Sequence, residues 1–207
     1  MNCFEFDSRF RKDGVELVGG IDEAGRGCVA GPVVAASVVL SSGFKCEQIK
    51  DSKLLTAAER HRYSCLIKEK AVCYSIAFAS HLEVDRYNVL RATYLAMRRS
   101  FVKLKRKPDI LLIDGPRAPV FHSNQRCIVD GDAKSLAVAS ASILAKVFRD
   151  RFMNKYHSLR PNYCFAKNKG YLTLHHKQAL KIFGPCKIHR MTYAPVREIC
   201  FNEKLLV

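Results

Sequence analysis

Four acidic residues stand where predicted β-strands end, and carboxylates gathered in that way can bind hard cations. Asp22 and Glu23 follow one apolar run. Asp114 closes another, and Asp132 comes after a short third one. Residues that leave strands at the same edge of a sheet are well placed to form one site. Carboxylates without cysteine or histidine partners suit Mg²⁺ or Mn²⁺, which can promote phosphodiester displacement by activating water.

The first two acids are neighbours, and neighbouring side chains on a regular strand point to opposite faces of a sheet. We therefore expect the chain to leave strand geometry at Glu23, which the glycines of the next segment, AGRG (24–27), would permit. Each position also has a simpler explanation. The first pair could form a solvated turn, Asp114 could be an ordinary turn residue, and Asp132 could be the N-cap of a helix.

The charge of the chain indicates a polyanionic partner. Its 207 residues include 35 lysines and arginines against 19 aspartates and glutamates, which gives a formal net charge of +16. Neutralising phosphates releases counterions, so this excess favours a nucleic acid. The longest apolar run is too short to span a bilayer, so we expect no membrane association.

The cysteines indicate a reducing compartment. Nine of them are scattered without a C-x-x-C pair, and an odd number argues against a closed set of disulfides. The N-terminus lacks the apolar core of a signal peptide. We therefore expect free thiols and a cytoplasmic location. Cys186 and His189 have a loosely metal-like spacing, but two ligands do not make a structural zinc site.

Alternating strand and helix patterns predict an α/β fold with a central mixed β-sheet flanked by helices. The strands are expected at residues 15–21, 33–40, 72–79, 109–114 and 127–129. The helices are expected at residues 56–70, 88–105, 133–156 and 172–183, the first of them capped by Thr56 with Glu59. We expect a catalytic domain at residues 1–184 and a small C-terminal helical extension at 185–207, on or near the substrate cleft.

Seven segments resemble ribonuclease HII. The most extensive is GIDEAGRGCVAGPVVAASVVL (20–40). The others follow in the family's order: DSKLLT (51–56), YNVLRATYLAM (87–97), LLIDG (111–115), GDAKSLAVASASILAKVFRDRFM (131–153), KGYLTLHH (169–176) and HRMTYAPV (189–196). The resemblance covers about residues 15–196, and many segments in order are more specific than any one motif.

The resemblance implies a ribonuclease H-like fold and an endonuclease, a hydrolase that gives 5′-phosphate and 3′-hydroxyl ends. Its substrates would be RNA–DNA hybrids and duplex DNA with embedded ribonucleotides, which it would cut on the 5′ side of a ribonucleotide. The cellular role implied is ribonucleotide excision, with Mg²⁺ or Mn²⁺ as cofactor and a two-metal-ion mechanism. We expect a monomer.

The resemblance also implies residue roles. The metal ligands would be Asp22, Glu23 and Asp114. Asp132 would complete the catalytic set, and Asp150 is the rival fourth acid. An ion pair with Lys146, four residues earlier on the same helix, explains Asp150 more simply.

The implied substrate contacts fall into three groups. The motif that reads the ribose 2′-hydroxyl corresponds to Gly25, Arg26 and Gly27. Tyr171 matches the tyrosine that stacks on the sugar after the ribonucleotide. The positions that match phosphate contacts are Ser52, Lys53 and Lys146.

Three residues depart from the family's common pattern: Cys28, Leu54 and Leu172 stand where proline, lysine and proline are frequent. They bear on loop rigidity and phosphate affinity and remove no implied ligand. Three alternatives remain. The related ribonuclease HIII family typically lacks the Gly-Arg-Gly. A structure-specific DNA nuclease of the same fold would cut substrates without ribose, and a catalytically silent protein would bind without turnover.

Overall fold

A computed structural model describes residues 2–11, 14–46, 48–49 and 52–204, with the backbone alone from residue 200 onward. Asp51, the first residue of the DSKLLT segment, and residues 205–207 of the predicted extension lie outside the described residues. The strands are β1 (Val18–Ala24), β2 (Val33–Leu40), β3 (Cys73–Ala79), β4 (Ile110–Asp114) and β5 (Gln125–Ile128).

The helices lie between and after these strands. They are α1 (Cys3–Ser8), α2 (Ala57–Lys70), α3 (His81–Tyr87), α4 (Val89–Val102), α5 (Gly131–Lys134), α6 (Leu136–Leu159), α7 (Phe165–Asn168), α8 (Leu174–Phe183) and α9 (Ala194–Lys204), with a 3₁₀ turn at Pro161–Tyr163. Among the described residues, no helix is both long enough and apolar enough to cross a membrane.

The strands form one mixed sheet in the order β3-β2-β1-β4-β5. β2 runs antiparallel to both β1 and β3, whereas β1, β4 and β5 run parallel to one another. The predicted mixed α/β sheet is therefore confirmed. Because the three parallel strands end at the same edge, the residues that follow them are brought together there.

Helices cover both faces of the sheet. α6 packs on β1 and β2 together with α2 and α1, and α4 packs with α3 on the opposite face. Every residue of β2 is buried, as expected for a strand covered on both sides. A third apolar cluster, which includes Val29, Phe165 and Val196, lies beneath the loop that follows β1.

α6 lies unusually close to β1, and glycine permits this. A Cβ atom at Gly20 would stand 2.1 Å from the carbonyl carbon of Ala137. The small residues of the first half of α6 are buried, as their size predicts. The single helix expected at residues 133–156 is wrong, because Ser135 is extended and separates α5 from α6. Its hydroxyl accepts the Val138 N–H and caps α6.

Other boundaries also differ from the expectation. β1 begins at Val18 and continues through Ala24, so the predicted departure from strand geometry at Glu23 is wrong. α2 begins after Thr56, and its capping box with Glu59 is confirmed. The short helices α1 and α3 were not predicted, although Ser80 and Glu83 form the same capping box at the start of α3.

Candidate active site

Three of the four predicted acids meet where β1 and β4 end. One carboxylate oxygen from each of Asp22, Glu23 and Asp114 lies within 4.8 Å of the others. The pairing of β1 with β4 stops at Ile21 and Ile113, so β1 has an open edge beside both acids. Asp22 and Glu23 can therefore approach each other although β1 is regular, because their side chains reach this open edge of β1 from opposite faces of the sheet.

Asp22 is 5% exposed and firmly held. Its Oδ1 accepts the Glu23 N–H at 2.6 Å, and the Ser142 hydroxyl of α6 also hydrogen-bonds to its side chain. Ser142 in turn lies 2.9 Å from the hydroxyl of Ser52, which is itself buried. Ser52, predicted from the resemblance to contact phosphate, thus reaches the carboxylate cluster through Ser142, a residue that the sequence did not single out.

Asp114 is oriented by the backbone that follows β5. Its Oδ1 accepts the Gly131 N–H at 2.7 Å, and the Asp132 N–H also hydrogen-bonds to its side chain. Asp132 is itself buried, and its Oδ2 lies 3.0 Å from the Nζ of Lys53. The N-cap alternative for Asp132 does not hold, because Asp130 precedes α5 and Ser135 caps α6.

Asp150 and Asp132 line one cleft but have different partners. Asp132 neighbours Asp114, whose pKa its charge raises. Asp150 pairs with Arg60 of α2 at 3.9 Å. The expected ion pair between Lys146 and Asp150 is therefore replaced by one that joins two helices.

The cluster is unfavourable as a set of bare anions. Burial raises the pKa of Asp22 well above its usual range, and the charges of Glu23 and Asp114 raise it further. Burial likewise raises the pKa of Glu23 and of Asp114, although Arg26 opposes the effect at Glu23. The donor atoms that converge are all carboxylate oxygens, so the site fits a hard divalent cation, which would offset the repulsion.

The Gly-Arg-Gly loop adjoins this cluster. Arg26 lies 3.0 Å from the Glu23 carboxylate, and half of its side chain is exposed. Gly25 has a φ of +98°, and a Cβ atom there would stand 2.1 Å from the Nε of Arg149. Only glycine fits both this conformation and this contact. Gly27 is exposed at the mouth of the cleft.

Two buried arginines bind this loop and the chain that follows it, and the sequence indicated neither role. Arg149 donates to the carbonyl oxygens of Pro32, Ala30 and Lys169 at 3.1, 3.1 and 2.7 Å. Arg190 contacts the loop from the C-terminal side and is 0% exposed. A charged residue in a helix or tail is ordinarily read as solvated, and nothing in the local pattern distinguishes these two.

The cluster opens into a cleft of about 570 Å³ whose lining carries both cationic and acidic side chains. Tyr171 stands at its wall and is 49% exposed, so it is not a core tyrosine. The cationic lining residues are Arg26, Lys53, Arg60, Lys146, Arg149, Lys167 and Lys169, and the acidic ones are Asp22, Glu23, Asp114, Asp132 and Asp150. The cleft thus combines an acidic floor with cations that, apart from the buried Arg149, can contact a polyanion.

The Cys186–His189 spacing serves a hydrogen bond. The Cys186 N–H donates to Nδ1 of His189 at 2.8 Å. The metal groups found among the described residues are confined to Asp22, Glu23 and Asp114. The cysteines whose side chains are described are free thiols, in agreement with the prediction for those residues.

Comparison with known proteins gives a consistent result. A family model described as Ribonuclease HII matches residues 19–196. The ribonuclease HII of Endomicrobium trichonymphae is 48% identical over 205 residues, which make up 99% of this chain and 98% of that protein. The ribonuclease HII of Delftia acidovorans is 49% identical over 183 residues, or 88% of this chain and 78% of that protein.

Solved structures have the same fold. The crystal structure of the ribonuclease H2 from Pyrococcus horikoshii OT3 matches with a TM-score of 0.76 and 25% identity, over 91% of this chain and 99% of that one. Bst-RNase HIII, crystallised in complex with Mn²⁺, matches with a TM-score of 0.77 over 94% of this chain and 72% of that one. Its 18% identity shows a likeness of fold alone.

Proposed function

Because this chain belongs to the ribonuclease HII family, and is therefore a metal-dependent ribonuclease H that acts on nucleic acid, we propose that it cuts duplex DNA on the 5′ side of an embedded ribonucleotide. RNA–DNA hybrids are the second proposed substrate. The products would carry 3′-hydroxyl and 5′-phosphate ends. The observation that carries the proposal is the convergence of three carboxylates beside a Gly-Arg-Gly loop in a basic cleft.

The proposed catalytic acids are those at the strand ends. Asp22, Glu23 and Asp114 would hold the first Mg²⁺ or Mn²⁺, and Asp132 would complete the site for a second ion. Such ions supply an activated water and charge stabilisation at the attacking and leaving oxygens. The backbone N–H of Gly131 and the Ser142 hydroxyl keep the carboxylates oriented.

The proposed substrate contacts line the same cleft. The backbone of Gly25, Arg26 and Gly27 can approach a sugar closely, and a ribose 2′-hydroxyl both donates and accepts, which distinguishes RNA from DNA. Tyr171 lines the cleft, and about half of its surface is exposed and available for stacking on the neighbouring sugar. Lys53 and Lys146 are proposed to contact phosphates. Ser52 would support this wall through Ser142.

We propose Asp132 in preference to Asp150, because Asp132 adjoins Asp114 whereas Asp150 pairs with Arg60. We further propose a cytoplasmic monomer that removes misincorporated ribonucleotides, as the sequence predicts.

The proposal is tested with three labelled duplexes incubated with Mg²⁺ or Mn²⁺: one with a single ribonucleotide, one RNA–DNA hybrid and one all-DNA control. We expect a single cut on the 5′ side of the lone ribonucleotide, several cuts in the hybrid and none in the control. Equal cutting of the all-DNA duplex would indicate a structure-specific DNA nuclease instead. Tight binding without a cut would indicate a catalytically silent protein.

A further inference from the structure

Three chain segments form a small backbone layer beside the cleft, and the proposed ribose-reading groups sit at its two ends. Residues 29–31 form the middle segment. The Val29 N–H donates to the Gly170 carbonyl at 2.9 Å on one side. On the other side the Gly31 N–H donates to Ile188 at 2.8 Å, and the Arg190 N–H donates to Val29 at 2.9 Å. Residues 29–31 are thus hydrogen-bonded to the chain just before Tyr171 on one side and to residues 188–190 on the other.

Arg190 holds the Gly-Arg-Gly end of this layer. Its Nη2 donates to the Gly25 carbonyl at 2.6 Å, and its Nη1 donates to the Arg26 carbonyl at 2.8 Å. Further bonds reach the Gly31 carbonyl. Within the described residues Arg190 has no carboxylate within 4 Å, so backbone carbonyls supply the compensation that a buried charge requires. Tyr193 reinforces the contact, because its hydroxyl accepts from Arg190 and donates to the Arg26 carbonyl at 3.0 Å.

His189, the preceding residue, holds the Tyr171 end through a second histidine. Nδ1 of His176 lies 2.8 Å from the Tyr171 carbonyl oxygen, which can only accept, so the His176 proton stands on Nδ1. Nε2 of His176 is then an acceptor, and it lies 3.0 Å from Nε2 of His189, which donates. Nδ1 of His189 therefore has no proton and accepts the Cys186 N–H at 2.8 Å. A directed chain of hydrogen bonds thus runs from Cys186 to the backbone of Tyr171.

The surroundings keep both rings neutral, as this chain requires. Both histidines are buried, and they pack against the rings of Tyr163 and Phe165. Burial lowers the pKa of His176, and burial together with His176 lowers the pKa of His189 to about 4. Each ring then has one donor and one acceptor nitrogen near neutral pH.

We propose that His189 and Arg190 are positioning residues that fix the distance between the two ribose-reading parts of the cleft. Arg190 sets the carbonyls of Gly25 and Arg26, and His189 sets Tyr171 through His176. Neither side chain touches the substrate in this account. The inference rests on the proposed function, since it assigns these residues to the reading of ribose rather than to the cutting step.

The first part of the proposal is that His189 positions Tyr171 through His176, and we call this part the histidine arm. It is tested with His176→Asn and His176→Leu. An Asn amide can replace Nδ1 as donor to the Tyr171 carbonyl, whereas Leu fills the space without a donor. We expect His176→Leu to lose about 10-fold in kcat/KM on a single-ribonucleotide duplex, within the range for residues that orient an active group. His176→Asn should retain activity within about threefold. Equal losses in both variants, with equal loss on long RNA–DNA hybrids, would overturn this arm.

A double mutant sharpens the test. If His176 acts through Tyr171, His176→Leu should cost much less in kcat/KM once Tyr171→Ala is present, because residues in one network are not additive. Additive losses would mean that the histidine pair acts independently of Tyr171 and would overturn its assignment. Thermal unfolding of each variant shows whether stability alone changes.

The second part of the proposal is that Arg190 positions the carbonyls of Gly25 and Arg26, and we call this part the arginine arm. It is tested with Arg190→Lys and with the milder Tyr193→Phe. The second variant removes one donor to the Arg26 carbonyl and leaves no buried charge unpaired. The measurement is the ratio of affinities for one duplex with and without a ribonucleotide. We expect the ratio to fall in both variants, while affinity for the all-DNA duplex stays unchanged. An unaltered ratio in Tyr193→Phe would overturn this arm, even if Arg190→Lys does not fold.

Measurements on the wild-type protein distinguish a failure of the positioning role from a failure of the proposed function. A wild type that prefers the ribonucleotide duplex, with variants that keep the preference, contradicts only the positioning role. A wild type without any preference contradicts the proposed function, and the positioning role falls with it.

Discussion

At the scale of single residues, the sequence predicted which carboxylates lie close together better than it predicted the groups that orient them. Asp22, Glu23 and Asp114 could be named because carboxylates at strand ends have a recognisable chemistry. The roles of Arg149 and Arg190 could not, since burial of a charged side chain depends on carbonyl groups from distant segments. The expected break at Glu23 failed because the open edge of a sheet depends on where a partner strand stops.

The competing fourth acids give a matched pair of variants. Asp132→Asn should lower kcat by about 100-fold or more, a larger effect than that of outer residues around a metal site. Asp150→Asn should change kcat by less than about fivefold, or about 1 kcal/mol, because Asp150 pairs with Arg60 at 3.9 Å and is not part of the three-carboxylate cluster. Single-turnover cleavage of the single-ribonucleotide duplex measures both. A reversal of the two effects would make Asp150 the fourth acid.

Tyr171 is expected to act at the junction between ribose and deoxyribose. Tyr171→Ala should lower kcat/KM on a single-ribonucleotide duplex by about 10-fold, in line with the energy of stacking on an aromatic ring. Long RNA–DNA hybrids should lose less, because they present many alternative sites. Tyr171→Phe, which keeps the ring, serves as control and should stay near wild type. Equal loss on both substrates would contradict a junction-reading role.

At the scale of elements, local pattern predicted β2 and α2 well, because a buried apolar run and a capping box are local signals. The interruption at Ser135 was missed, since serine occurs inside helices as well as at their caps. The short helices α1 and α3 have too few residues for a clear periodicity. Tertiary contacts therefore decided the elements that sequence periodicity could not.

The close packing of α6 on β1 predicts a severe effect at Gly20. Gly20→Ala would place a methyl group 2.1 Å from the Ala137 carbonyl carbon, so the helix would have to move. We expect a loss of about 2 kcal/mol or more in the free energy of unfolding, as for overpacked cores. Gly43→Ala is the control, since its added carbon comes no closer than 3.8 Å to other atoms. Equal stability of the two variants would contradict the packing.

α1 contributes a buried carboxylate to the start of α6, and this predicts a pH-dependent stability. Asp7 accepts the Ala137 N–H at 2.9 Å, and burial raises the pKa of Asp7 to about 6 from the usual 3.8. The folded state therefore binds the proton more tightly than the unfolded state. The resulting stabilisation is present below pH 4 and is lost as pH rises to about 6.

Asp7→Asn removes this titration while retaining an acceptor for the helix. Between pH 4 and pH 6 the unfolding free energy of the variant should gain on that of wild type, by up to about 3 kcal/mol. Urea unfolding at several pH values measures the difference. Parallel stability curves for the two proteins across this range would contradict the account.

At the scale of the whole molecule, the chain carries a net charge of +16, although acidic residues form the floor of its cleft. The composition predicted a polyanionic partner, and the fold concentrates seven cations around one cleft. Composition could not reveal their placement, because the cations come from loops and helices far apart in the chain. The cleft charge should hold a duplex by its phosphates while the strand ends act on a single bond.

Salt dependence tests this arrangement. The logarithm of the affinity for a duplex should fall with the logarithm of salt concentration, with a slope of about −4 to −6 if most of the cleft cations contact phosphates. Lys167→Ala should make the slope shallower by about 1. Lys103→Ala, outside the cleft lining, should leave it unchanged. Equal changes in both variants would mean that general charge, and not the cleft, binds the duplex.

The most direct test of the central claim compares wild type with Asp22→Asn on a labelled duplex that contains one ribonucleotide, in Mg²⁺ and in Mn²⁺, with binding measured in parallel. We predict a single cut on the 5′ side of the ribonucleotide by wild type, and at least about a 100-fold slower cut by a variant that still binds. Cutting by Asp22→Asn at the wild-type rate would contradict the assignment of the carboxylate cluster as the catalytic centre.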